Sequence, residues 1–133
     1  MLENRSIPRS TVIPVLAYPD VGAAIAWLCE AFGFTLRLRI GDHRAQLNVG
    51  DGAVVITEGK GGSGLSVLVR VSDADAHHTR ARTNEARILQ PPTDCPYGER
   101  QYIAEDLGGH RWTFSQSIAD VVPEVWGGTS GQL

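Results

Sequence analysis

Four histidines, two cysteines and a set of polar residues on alternating segments are the groups of this chain that could do chemistry. The histidines are His43, His77, His78 and His110, and a metal centre would need several donors to converge on one ion. His77 and His78 are adjacent. On a helix such neighbours diverge by about 100°, so they do not chelate together, and surface or packing roles are expected for them. Asp73 lies one turn before His77 as a mild partner. His110 follows Gly108-Gly109 and suits a turn cap. Cys29 sits beside an apolar helical stripe and reads as a small buried hydrophobe. Cys95 lies between Asp94 and Pro96, with no local positive field to activate a thiolate. No catalytic residue emerges from these groups.

Ligand contact is the chemistry better supported by residue type, and the candidates are Glu58, Ser66, Arg70, Tyr97, Arg100, Tyr102, Trp112 and Thr113. Glu58, Ser66 and Arg70 are the polar residues expected to face a cavity. A glutamate in an apolar pocket has a raised pKa and can act as a base, or it can attract a cationic ligand. Tyr97, in a Pro-rich loop, is a stacking wall at the mouth. Arg100 and Tyr102 alternate on one strand face, with Glu99 and Gln101 on the other. Arg100 suits either a clamp on an anionic group or a pairing with Asp106 or Glu58. Trp112 and Phe114 share the face expected to pack on a helix, although Trp112 is also kept among the candidate contacts. Thr113, on the opposite face with Arg111 and Ser115, should line the cavity. Trp126, following Pro123, is expected to dock on the domain or on a second subunit.

The elements that must position these residues are legible as a repeat. Residues 1–10 form a polar arm. Residues 11–18 are an apolar, β-branched strand, with Pro14 marking an edge or bulge. Asp20 is an N-cap, and Val21, Ala24, Ile25, Leu28 and Phe32 form one helical stripe that ends at Gly33. Strands at 35–40, 44–49 and 53–58 follow, separated by glycine turns. A linker at 60–64 then precedes the same order again. A strand at 65–71 leads to a helix over about 74–85 capped by Ser72 or Asp73, with Asn84 as the expected left-handed residue. A short extended piece at 88–90, a loop at 91–96, and strands at 101–105 and 111–116 complete the second half. Asp20 and Asp73 are 53 residues apart. The fold class is α+β, a single domain over 1–133. It has βαβββ modules at about 11–59 and 65–116 and a tail at 117–133. Neither half can bury its own sheet face, so the two must pack together around a shared cavity.

Composition narrows the function classes. The chain has 133 residues, 12 basic against 15 acidic, and a formal charge of −3. Lys60 is the only lysine, and no basic block exists for nucleic-acid binding. No run approaches the ~20 apolar residues of a membrane span. The opening Met1-Leu2-Glu3-Asn4-Arg5 lacks an apolar signal core, so a cytoplasmic protein with reduced thiols is expected.

Val15-Leu16-Ala17-Tyr18-Pro19-Asp20-Val21, Ala23 to Leu28 and Phe32-Gly33-Phe34 resemble the opening of the vicinal oxygen chelate superfamily, which holds glyoxalase I, bleomycin-resistance proteins and extradiol dioxygenases. Tyr97-Gly98-Glu99-Arg100-Gln101-Tyr102 and Asp106-Leu107-Gly108-Gly109-His110-Arg111-Trp112-Thr113-Phe114 resemble its close. The resemblance spans about 11–116. It implies paired βαβββ modules, a U-shaped cavity and a homodimer. It also implies four inward metal-ligand positions, which by spacing fall on Ile13, Ile56, Ser66 and Thr113. Isoleucine offers no donor and a neutral hydroxyl is a weak ligand, so no metal and no cofactor are expected. Glu58, on the face of Ile56, is the one alternative donor. The resemblance then implies a small-molecule binding protein of the bleomycin-resistance type that sequesters an aromatic natural product or antibiotic. The alternatives are a glyoxalase-like lyase, isomerase or dioxygenase with an atypical or metal-independent site, and a scaffolding dimer without ligand.

Overall fold

Two aspartates open the two helices in the same way. Asp20 accepts a hydrogen bond from Ala23 N at 3.0 Å, and Asp73 accepts one from Ala76 N at 3.0 Å. Each satisfies one orphan donor of the first helical turn. The computed structural model describes residues 4–62 and 65–131. Its first half runs β1 (Val15–Tyr18), α1 (Val21–Phe32), β2 (Thr35–Ile40), β3 (Arg44–Val49) and β4 (Gly52–Glu58). The second runs β5 (Ser66–Arg70), α2 (Ala74–Thr83), β6 (Arg87–Cys95), β7 (Glu99–Glu105) and β8 (Arg111–Ser117), followed by a short 3-10 helix, Pro123–Trp126. The expected α+β fold is observed.

Each half forms a four-stranded mixed sheet, ordered β1-β4-β3-β2 and β5-β8-β7-β6. The first pair of each list is parallel and the others are antiparallel. The stripe of α1 is buried throughout: Val21, Ala24, Ile25, Leu28 and Phe32. These side chains meet Leu16, Tyr18, Leu47, Val54 and Ile56 of the first sheet and Tyr102, Trp112 and Phe114 of the second in one core. Phe32 is the hinge of that core, with ring centroids 5.7 Å from Trp112 and 4.9 Å from Phe114. Trp27 Nε1 donates to Asn84 O at 3.0 Å, so this indole ties the middle of α1 to the C-terminal end of α2.

Three local expectations are corrected. The first strand begins at Val15, not residue 11, because Pro14 cannot donate to the ladder. The loop placed at 91–96 is largely strand: β6 continues through Pro91 and Pro92 to Cys95. As the edge of its sheet it tolerates prolines, and the register shifts around Gln90 and Thr93 absorb them. The left-handed residue after α2 is Glu85 at φ 65°, while Asn84 stays at φ −94°. Of the linker expected at 60–64, Ser63 and Gly64 lie outside the described residues. Gly61 packs so closely on Gly108 that an added Cβ would lie 2.1 Å from Gly108 O.

Candidate functional site

Strand alternation gives the second sheet a covered and an open face. Val67, Val69, Tyr102, Ala104, Trp112 and Phe114 point toward the helices. Ser66, Leu68 and Arg70 pair with Arg111, Thr113 and Ser115, which pair in turn with Glu105, Ile103 and Gln101. These residues make up the open face. Leu68 is 65% exposed there, in line with Thr113 and Ile103.

A polar chain runs beside that apolar row. Tyr97 Oη donates to Gln101 Oε1 at 3.1 Å, Gln101 Nε2 donates to Ser115 Oγ at 3.1 Å, and Ser115 Oγ donates to Glu99 Oε1 at 2.7 Å. Each donor points toward the carboxylate. Hydrogen bonds from Ser117 and Ser115, with the Arg70 guanidinium nearby, hold the Glu99 carboxyl below its usual range. The Cys95 thiol also approaches Gln101 Oε1, at 3.8 Å. At the rim, the Tyr97 ring meets Trp126 edge-on with centroids 5.5 Å apart. Gly98 makes this docking possible. It holds φ 82°, and a Cβ there would lie 2.5 Å from Ala119 O, under the returning tail.

Between the two halves, an open groove of about 300 Å³ is lined by Val12, Pro14, Val49 and Val54, together with the 50–53 turn and its Asp51, on one side and by Val67, Leu68, Val69 and Arg70 on the other. Its size is at the lower end for small-ligand pockets. Leu68 and Arg70 belong both to the cavity and to the open face, so the two are continuous.

The structure brings Ser66, Arg70 and Thr113 together on the open face and sets Tyr97 at its rim. It places the other four candidates elsewhere. Tyr102 and Trp112 are both fully buried in the core. Burial there raises the Tyr102 phenol well above its usual value, and Trp112 Nε1 donates to Asp106 Oδ2 at 2.9 Å. Arg100 faces α2, pairing with Asp94 at 2.7 Å and Asp75 at 3.1 Å instead of Asp106 or Glu58. Glu58 ends β4 opposite Tyr18 and is exposed. Sequence reasoning left out Leu68, Glu99, Gln101, Ile103 and Ser115 as site residues. The period-2 pattern shared with Arg70 and Thr113 was the signal for them.

Three of the four histidines serve packing, and His43 is exposed in a turn. His77 lies between the helices, its Nε2 hydrogen-bonding to Phe32 O at 3.0 Å and its Nδ1 to the Tyr102 hydroxyl. His78 lies edge-on to Tyr102. His110 joins the halves through Nε2 and Ala17 O, at 2.6 Å.

The metal-ligand positions implied by the resemblance do not fit a divalent cation. Ile56 points into the core with no exposure, so its register is corrected to the helix side. Its neighbours Val55 and Thr57 face the other way, and Ser66 and Thr113 offer only neutral hydroxyls. Among the described residues, no three His, Cys, Asp or Glu side chains are grouped to hold an ion. Among these residues also, no helix is long and apolar enough to cross a membrane.

Comparison with known proteins agrees with this architecture. The crystal structure of TioX from Micromonospora sp. ML1 superposes with a TM-score of 0.72 at 37% identity, covering 81% of this chain and 98% of that one. The bleomycin-binding protein from bleomycin-producing Streptomyces verticillus, complexed with copper(II)-bleomycin, gives a TM-score of 0.64 at 21% identity, covering 81% and 96%. A glyoxalase/bleomycin resistance protein/dioxygenase from Nocardioides gives 0.67 at 20% identity, covering 96% and 91%. No match is found among curated proteins. The family model for the Glyoxalase/Bleomycin resistance protein/Dioxygenase superfamily matches residues 11–114, and the chain belongs to that superfamily.

Proposed function

We propose that this protein is a metal-free binder of a small aromatic molecule, a natural product or antibiotic that it sequesters. The observation that carries this reading is the groove shared by the two halves, valine- and leucine-lined with Asp51 and Arg70 at its edges, and continuous with a sheet face edged by Tyr97 and Trp126. Leu68, Thr113 and Ile103 offer a mainly apolar floor. Glu99 and Arg70 stand beside it as fixed charges for orienting polar groups of the ligand. Apolar contact with a few placed polar groups is the usual composition of such sites. The superposed bleomycin-binding protein, complexed with copper(II)-bleomycin, adds support from a structure of the same fold.

Two further parts of the reading are a homodimer and a cytoplasmic location. The dimer is supported by exposed apolar residues at the open edges outside the ligand floor, Val12, Val15 and Leu65. A surface of this kind favours association.

Titration with a panel of planar aromatic antibiotics, followed by tryptophan fluorescence, tests the binding proposal. Saturable quenching that disappears in Trp126→Phe is expected. Failure of every compound to give a saturable response would overturn it. Analytical ultracentrifugation tests the dimer, and sedimentation as a monomer at micromolar concentration would remove that part.

A further inference from the structure

The two sheets differ in what covers their outer faces. In the first, Val15, Val55, Gln46 and Leu38 pair in a row across the strands. The same row in the second is Leu68, Thr113, Ile103 and Gln90. Leu68 is exposed, and Thr113 and Ile103 are half-buried. Val55 and Gln46, by contrast, are buried. Val55 and its neighbour Ala53 point away from the helices and take no part in the core, so their burial has another source.

That source is residues 5–8, a strap outside the segment matched by the family model. Gln46 Nε2 donates to Ser6 O at 3.0 Å. Arg37 Nη2 donates to Arg5 O at 2.9 Å and to Ile7 O at 3.1 Å, while its Nη1 donates to Gln46 Oε1 at 2.6 Å. Pro8 is buried beside Asn48 and Ala53. Arg37 reaches the strap because β2 is irregular between Leu36 and Leu38, and such a bulge re-aims a side chain. β6 has the same irregularity between Ile88 and Gln90, where the extra residue is Leu89. The two donors, Arg37 and Gln46, thus stand where the second half has Leu89 and Ile103. Leucine and isoleucine side chains donate no hydrogen bond, so these anchors exist in one half only.

We propose that residues 5–8 are an internal cover over a second binding face, and that lifting it lets the first sheet take a planar aromatic molecule. The ligand chemistry rests on the reading of the second sheet given above, whereas the cover does not. The row that it shuts is apolar at Val15, Val55 and Leu38, with Ala53 beside it and one amide, Gln46, crossing it. An apolar floor with a few placed polar groups is the composition of a small-ligand site. Strap and ligand compete for the same surface, so the ligand binds only the lifted state and shifts the chain toward it. The anchors hold main-chain oxygens, so Arg37 and Gln46 set the strength of the cover and the side chains of residues 5–7 do not.

Nile red, a neutral planar dye that fluoresces in apolar sites, is the probe. It is titrated into Leu68→Glu, which closes the second face, and into the same chain carrying Arg37→Leu and Gln46→Ile. These two changes place at each anchor the residue type of its counterpart in the second half. Pro8→Gly, in the same Leu68→Glu chain, loosens the strap without touching the sheet. Both release variants should bind the dye about tenfold more tightly, the scale expected for losing one or two anchoring contacts. Trypsin should also cut faster after Arg5, whose carbonyl Arg37 holds. Adding Val15→Glu, the counterpart of Leu68→Glu, should abolish the gain in dye binding. Unchanged dye binding or an unchanged Arg5 cut in both release variants, or a gain that survives Val15→Glu, would overturn the proposal. If Leu68→Glu itself leaves dye binding at the level of the parent, the reading of the second sheet fails, and the release variants still decide the cover.

Discussion

The phenol hydroxyl of Tyr18, at the end of β1, donates to Asp106 Oδ2 in the second half across 2.6 Å. The contact is fully internal: Tyr18 is 1% exposed and Asp106 6%. Trp112 Nε1 reaches the same oxygen, and the backbone N–H groups of Gly108 and His110 reach Oδ1, each at 2.9 Å. One carboxylate thus closes the turn before β8 and fastens the two halves together. Burial, with the Asp106 charge beside it, pushes the Tyr18 phenol far above its usual value, so the proton stays on tyrosine. Tyr18→Phe removes a hydrogen bond to a charged group and should lower the free energy of unfolding by about 1.5–3 kcal/mol. Asp106→Ala should be worse, because it leaves the Tyr18 hydroxyl and the Trp112 N–H buried without partners. Urea denaturation checks both. Midpoints unchanged from the parent would show that this contact does not secure the interface.

His77 makes the packing of the helices sensitive to acid. Its Nε2–H donates to Phe32 O, while Nδ1 accepts from Tyr102, which is the neutral ring satisfied on both sides. Burial lowers its pKa below the ordinary 6.5, and the Arg80 charge lowers it further. The unfolded chain therefore binds this proton more readily than the folded one. The stabilisation from neutral His77 is complete above about pH 6.5 and is lost as pH falls below that value. Thermal midpoints measured from pH 7.5 to pH 5 should fall, and His77→Gln should flatten the fall. A parallel decline in the variant would assign the acid sensitivity to other groups.

Glu85 holds φ 65°, the one described non-glycine residue with a positive φ. Side chains other than glycine, asparagine and aspartate are disfavoured in that region. The turn still closes, with Ala86 N donating to Ala81 O at 3.0 Å. Glu85→Gly should relieve the backbone and stabilise the fold by about 1 kcal/mol, less the entropy that glycine adds to the unfolded chain. A clear drop in the denaturation midpoint would show that the Glu85 side chain contributes something beyond conformation.

What the sequence revealed follows from where its signals are local. Val21, Ala24, Ile25, Leu28 and Phe32 declare their face through a period of 3.6, and Asp20 and Asp73 declare the helix starts through side-chain chemistry. The spacing carried over with the resemblance turns Ile56 to the wrong face, and residues 53–56, all apolar and all buried, offer no alternation that would correct it. Residues 5–8, held by Arg37 and Gln46 and seated beside Asn48 and Ala53, cover the side of the first sheet that would otherwise show polar alternation, so the period-2 signal is erased there. Tyr102 and Trp112 look like ligand aromatics by type, but strand parity places them opposite Gln101 and Thr113. The polar chain from Tyr97 to Glu99 depends on the pairing of Gln101 with Ser115 across 14 residues. That register is tertiary information.

Trp126 offers the sharpest test of the site without disturbing the fold. It is 44% exposed on a 3-10 turn that contains no buried residue, and its described ring contact is with Tyr97. Trp126→Ala should therefore leave the denaturation midpoint within about 0.5 kcal/mol of the parent, as for most exposed positions. If an aromatic ligand stacks at this rim, losing the indole should raise its dissociation constant about three- to tenfold, the range expected for one aromatic pair. Leu68→Glu supplies the complementary change, placing a charge on the apolar floor between cavity and sheet. Calorimetric titration of both variants with a ligand identified by fluorescence should show weaker binding at unchanged stability. Full affinity in both would move the binding site away from the second sheet.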